Sequence, residues 1–320
     1  MFLLLLRLWQ RTLCISLEET TFARRGFNDS DAVVRERLEC VGRAFLHGYH
    51  EALKDDDAQT LAERLNTWNG ELRGFAFEGA SMGLTLLDHL SPRRKNRFRI
   101  FLDGPATAHS YMVHVGVGWA IARLPWLRRK IDVVLAHFDP LLRWLTVDGY
   151  GFHEGYFHWP RSVEGQKSPT RLSAYALRVF DQGLGRSLWF VDGADAHRIP
   201  VTIGKFAPSR QADLWSGVGL ACAYAGGVDR NDIEALQRGA GSYRPQLAQG
   251  AAFAAKARQR AGNPSEHTEL ACRTLCRLSA DEAATITDAA LEDLPADGRE
   301  PAYEVWRKRI QATFATDHFL

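Results

Sequence analysis

The 320-residue chain has no excess of charge of either sign, with 40 basic residues against 38 acidic ones and a net charge of +2. That balance gives no reason to expect a nucleic acid or an anionic membrane as partner. Arg93-Arg94-Lys95 and Arg128-Arg129-Lys130 are local basic clusters of the kind found in solvated turns. Cysteine is scarce: five residues, an odd number, and the pair Cys272 and Cys276, four apart, lacks a second pair with zinc-ligand spacing. Cys272 and Cys276 therefore read as buried or half-buried thiols, and a reducing, cytoplasmic setting is expected. A long apolar run is missing too. Met1–Leu6 is broken by Arg7, is too short to span a bilayer, and lacks a following cleavage site. It reads as an amphipathic opening helix docked on the body of the protein, with membrane association as the less favoured alternative.

Several signatures of chemistry are absent as well. There is no phosphate loop, no Gly-x-Ser-x-Gly elbow, and no strand–turn–helix context for a dinucleotide fingerprint. Asp55-Asp56-Asp57, and Asn231-Asp232 with Glu234, echo the metal–diphosphate motifs of terpene cyclases without their spacing. His47-Gly-Tyr-His50-Glu51 places two imidazoles on one helical face but does not match the zinc-protease pattern. No metal site and no cofactor are expected. No stretch alternates as a strand does, and there is no low-complexity tract.

Glycine is plentiful and regular. Gly-x-Gly pairs occur at Gly116/Gly118, Gly149/Gly151, Gly183/Gly185 and Gly217/Gly219, and Gly250 follows with Ala252 in the second place. The steps between first glycines are 33, 34, 34 and 33 residues. Each pair lies in a helical stretch rich in alanine, leucine and aromatics. A period of about 34 residues is the size of one helix–turn–helix unit. The expectation is an all-α fold of stacked helical hairpins, either a TPR-like α-solenoid or a compact α/α repeat. It would be a single domain, with capping helices over 1–72, glycine-bearing repeats over 73–262 and capping helices over 263–320. Glycine inside a helix costs about 1 kcal/mol relative to alanine, so its recurrence needs a compensating gain. Close approach of a neighbouring helix explains it, with ligand contact at one or two pairs as the alternative.

Along the chain, Ser16-Leu-Glu-Glu19 has the form of a capping box, and Asn28-Asp29-Ser30-Asp31 offers caps for a longer amphipathic helix. Gly74-Phe-Ala-Phe-Glu-Gly79 starts an off-beat copy of the glycine helix that Ser91-Pro92 ends. Leu127 to Phe138 and Ala196 to Phe206 read as partner helices, the second with a break or kink at Pro200. Arg161 to Pro169 is the least regular stretch of the middle.

The densest set of functional groups is Asp148-Gly-Tyr-Gly-Phe-His153-Glu154-Gly-Tyr-Phe-His158-Trp159. With Glu78, a carboxylate inside an apolar run, and His114 beside the first glycine pair, it supplies the candidate acid–base residues: Asp148, His153, Glu154, Glu78 and His114. Hydrogen bonding that merely fixes the stacking is the alternative for Asp148 and His153. Arg186 and Asp213 are charges in apolar helices and need partners, either as an interior ion pair or as an anion site. Trp119, Tyr150, Arg186, Trp189, Asp213 and Trp215 complete the candidate ligand-binding set.

The motifs Gly74–Gly79, His114-Val-Gly-Val-Gly-Trp-Ala120, Asp148–Phe157 and Asp213-Leu-Trp-Ser-Gly-Val-Gly-Leu-Ala-Cys-Ala-Tyr-Ala-Gly-Gly227 resemble a bacterial family of unknown function, the one numbered 1702. Ala23-Arg-Arg-Gly-Phe27 is similar to its opening, and the likeness runs from about Leu17 to Leu294. Its members are encoded beside enediyne polyketide synthases and in other natural-product clusters. The resemblance implies a role in secondary metabolism and supplies no settled reaction or catalytic residues. The expected function is to bind an apolar, polyene-like intermediate and to cyclise or rearrange it by acid–base chemistry. The alternatives are a helical-repeat module that docks a synthase or carrier protein, and an unorthodox terpene-cyclase-like enzyme.

Overall fold

The computed structural model describes residues 13–28, 31–91 and 96–315. The expected opening helix at Met1–Leu6, the caps Asp29 and Ser30, the stop at Pro92 and the cluster Arg93-Arg94-Lys95 lie outside the described residues. Within them the fold is all-helical, without strands. Among the described residues no helix is long and apolar enough to cross a membrane, and the five cysteines are free, with Cys222, Cys272 and Cys276 buried.

Seven long helices form the body: α1 (Ala32–Lys54), α2 (Gly70–Leu90), α3 (Ser110–Arg123), α4 (Arg143–Phe157), α5 (Ala174–Val191), α6 (Pro208–Ala225) and α7 (Arg244–Ala261). Each packs chiefly on the helix before it and the helix after it. Local chemistry sets their starts. Asp31, Asn69 and Ser173 accept backbone N–H groups at the heads of α1, α2 and α5, satisfying donors a helix leaves orphaned. Pro208 and Pro245 sit in first turns, where the missing N–H is harmless. Ser16 caps a short 3-10 turn (Leu17–Thr20) without the expected reciprocal bond, whereas Ser279 and Glu282 form a full capping box.

The glycines explain the packing. A Cβ on Gly116 would stand 2.1 Å from the Glu78 carbonyl oxygen of α2, and one on Gly118 would stand 2.1 Å from that of Thr146 in α4. Gly149 meets Val115 O and Gly151 meets Phe180 O, each at 2.0 Å; Gly183 meets Asp148 O and Gly185 meets Leu214 O. Gly217 and Gly219 continue the pattern on Gln182 and Leu247. In each pair the first glycine seats the preceding helix and the second seats the following one. In α2, Gly79 faces Phe45 O, and Ser81 stands in the second place, donating to Val113 O at 2.5 Å. Gly250 faces Ser216 O of α6, and no further glycine helix follows α7.

The partner helices are shorter than the spacing implies. Leu127–Phe138 is two single turns, Pro125–Arg129 and Ile131–Leu135, separated at Lys130. Ala196–Phe206 shrinks to Arg198–Gly204, with Pro200 tolerated in its first turns. Trp159–Pro169 includes a π-turn at Pro160–Glu164. After α7 come α8 (Glu266–Leu275), α9 (Ala280–Ala289) and α10 (Ala302–Phe314). Arg307 of α10 is buried and pairs with Asp213 of α6 at 2.8 Å and with Glu304 at 3.2 Å; Arg178 of α5 joins both carboxylates. Arg258 ties the far ends of the row together, donating to Tyr224 O and to Glu71 O at the head of α2.

Candidate functional site

Glu78 is fully buried in α2. The glycine contacts bring the main chains of α1, α2 and α3 together around it. Trp119 of α3 donates its indole N–H to Glu78 Oε1 at 2.9 Å, while Oε2 is buried without a partner. Burial pushes the carboxyl up to about 7. Arg186 and the indole bond oppose that shift, and Asp148 adds to it. Near neutral pH this group is poised between acid and base.

Beside it lies a small apolar cavity of about 30 Å³, room for about one water. Phe45, Phe75, Trp119, Phe152, Tyr156 and Phe190 wall it, and Ile15 and Thr20 cover it from outside. The cover belongs to a strap, residues 13–28, laid over α1 and the ends of α4 and α5. Arg25 donates to Tyr156 O and Phe157 O at the tail of α4, the end of a helix that favours a cation. Trp159 Nε1 donates back to Arg25 O, and Asn28 N donates to Val191 O.

On the other side of the Trp119 ring stands His153, edge-to-face at 5.5 Å. Its Nδ1 lies 3.3 Å from Glu154 Oε1, and His158 Nδ1 lies 3.5 Å from Glu154 Oε2. Burial would raise the Glu154 carboxyl, but its bonds and charge interactions with the two imidazoles prevail and hold it down at about 2; burial lowers the affinity of His153 for a proton. Glu78, Trp119 and His153 therefore form one continuous cluster across α2, α3 and α4.

The sequence profile of a protein family of unknown function, DUF1702, matches residues 4–314. The chain belongs to that family. No curated protein and no solved structure matches it.

The other candidates of this DUF1702 chain lie elsewhere. Asp148 is bonded to Arg186 and, at 2.8 Å, to Gln182 Nε2, and all three are buried. Arg186 thus pairs with Asp148 and not with Asp213, whose partners are Arg178 and Arg307. The Asp148–Arg186 pair borders a second cavity of about 30 Å³ enclosed by α3 to α7. His114 faces away from Glu78, toward the rings of Phe98 and Phe138, with Nδ1 2.7 Å from Ser110 O and Nε2 buried without a partner. Trp189 donates to Gly226 O, Trp215 is buried, and Tyr150 is buried against the Phe180 ring.

The metal-like sequence echoes have ordinary partners. His47 packs at a tilt against the Trp68 ring, and Glu51 pairs with Lys54 and Arg64. Asp55 pairs with Arg64, Asp56 with Arg97, and Asp57 caps the Ala58–Leu65 helix. Each of these three aspartates thus has a partner within the fold. The sequence missed the strap and most of the aromatic wall. Phe45 sits in an amphipathic stripe that looks like core, and nothing local marks Ile15 or Thr20.

Proposed function

We propose that this DUF1702 protein takes an apolar, polyene-like intermediate into the aromatic pocket and isomerises or cyclises it, with Glu78 as the general acid. One observation supports this above the rest: a fully buried carboxyl, shifted to about 7, with one oxygen free beside a cavity walled by aromatic faces. A carboxyl of this strength protonates a carbonyl or epoxide oxygen far more readily than an isolated alkene. The reading therefore favours an intermediate with oxygen beside its conjugated system. Positive charge developing along the polyene would be stabilised by the faces of Trp119, Phe152 and Phe45. A proton released from the final cation balances the one given by Glu78, so substrate and product are isomers. His153 and Glu154, behind Trp119, hold that ring in place. The natural-product setting rests on the family resemblance, and the view of the chain as a repeat domain of hairpin-like units rests on the 33- and 34-residue steps between its glycine pairs.

About 30 Å³ does not hold such a molecule, so entry on this reading requires the strap over α1 to move aside. The test is mass spectrometry of pathway intermediates in a producing strain lacking the protein, complemented with wild type, E78Q or W119F. The expected result is that E78Q accumulates the same apolar intermediate as the deletion. Full complementation by E78Q sinks the acid role.

A second reading, docking of a synthase or carrier protein, draws on the open cleft of about 630 Å³ between the tail of α2, α3 and residues 126–138, rimmed by half-exposed Trp126. Capture of a synthase that is unchanged by E78Q and lost on Trp126→Ala would favour it.

A further inference from the structure

We propose that His153, Glu154 and His158 hold one divalent transition-metal ion, of which zinc is the best fit, at the tail of α4. This inference stands independently of the acid role of Glu78. The ligand atoms are two imidazole nitrogens and a carboxylate oxygen, a set that suits zinc and its neighbours in the first transition row. His153 Nδ1 and His158 Nδ1 approach opposite oxygens of the same carboxylate, at 3.3 and 3.5 Å. A tetrahedral zinc with bonds of about 2.0–2.1 Å spaces its ligands by roughly 3.4 Å, so each imidazole stands about one tetrahedral edge from the carboxylate oxygen it faces, and one imidazole has to shift for both to share an oxygen. The three ligand atoms all lie within 4.8 Å of one another. The remaining gap closes by a rotamer change of His158, whose side chain is 53% exposed.

Three further features support a cation here. Glu154 is nine-tenths buried, yet among the described residues its only ion-pair partners are the two imidazoles, with no lysine or arginine in range. The site lies at the carbonyl end of a helix, where a positive charge is favoured. Ser162 Oγ donates to Glu154 O and His158 O, bracing the last turn that carries both ligands. With three protein ligands, the fourth position is open to solvent on the His158 side, as in catalytic and not structural zinc sites. Arg123, acting on His153 from α3, is the opposing charge that limits affinity.

The experiment uses full-length protein stripped with chelator and titrated with zinc by calorimetry, then with cobalt(II) for its visible spectrum. The expected result is one equivalent bound at micromolar affinity or tighter and the intense d–d bands of four-coordinate cobalt. His158→Ala and Glu154→Gln should each weaken binding at least tenfold, and His47→Ala should leave it unchanged. His158 is half-exposed, so its alanine variant is expected to keep the wild-type circular dichroism and melting temperature. Absence of uptake, or uptake unaffected by both H158A and E154Q (an adventitious ion only), overturns the proposal.

Discussion

A carboxylic acid sealed among aromatic rings leaves a signature in stability as well as in chemistry. In the folded state Glu78 keeps its proton up to about 7, whereas in the unfolded chain it releases it near 4.5. Between those values the native state binds more protons than the unfolded one, so stability falls as pH rises. The Glu78 contribution is fully present below about 4.5 and is lost by about 7, a difference of about 3 kcal/mol. Glu78→Gln keeps an oxygen for the Trp119 indole and cannot ionise. It is expected to be more stable than wild type at pH 8 by up to ~3 kcal/mol and to show no such gain near pH 4. Urea unfolding of both proteins across that range checks it; a pH-independent difference would mean the carboxyl is not shifted. The glycines are also testable one at a time. Gly183→Ala would place a methyl 1.8 Å from the Asp148 carbonyl oxygen, and moving a whole helix to make room should outweigh the ~1 kcal/mol gained in helix propensity. A net loss of about 2 kcal/mol or more is expected. Gly204, with nothing within 4 Å of its added Cβ, is the control: Gly204→Ala should be neutral or slightly stabilising in the same thermal melts.

At the scale of elements, α10 is held by charge as much as by apolar contact. Arg307 is fully buried with Asp213 and Glu304, and Arg178 closes the cluster from α5. Removing Arg307 leaves two buried carboxylates to share the half-exposed Arg178 alone, so Arg307→Ala should cost about 3 kcal/mol. Adding D213N and E304Q to that variant should recover part of the loss, which comparison of the triple variant's denaturation midpoint with that of R307A would read. The helices themselves were legible from sequence because their apolar stripes and caps are local. The glycine pairs were legible as close-packing devices because glycine in a helix interior needs a neighbour to justify it. Which neighbour each one met was not legible, since that depends on register between helices. The same limit explains Arg186: its charge was visible as buried, but its partner is Asp148, one helix back, and not Asp213, one helix on. His153 and Glu154 lie near the end of α4 and His158 is its C-cap, so their proximity was legible in the sequence. The Trp119 ring that joins them to Glu78 comes from another element and was not.

At the scale of the molecule, the row of seven helices curls until the head of α2 meets the tails of α6 and α7 through Arg258, Arg37 and Asn263. The curl places carboxylates from α2 and α4 within reach of one guanidinium on α5, a convergence that no local pattern encodes. The pairing of glycines has a further consequence. Every member from α3 to α6 presents bare main chain on both flanks, whereas α7 presents it on one flank and a methyl group, that of Ala252, at the matching place on the other. Backbone-to-backbone seating of the kind that joins α3 to α6 therefore stops at α7, where any neighbour on that flank must stand off by the width of a methyl group.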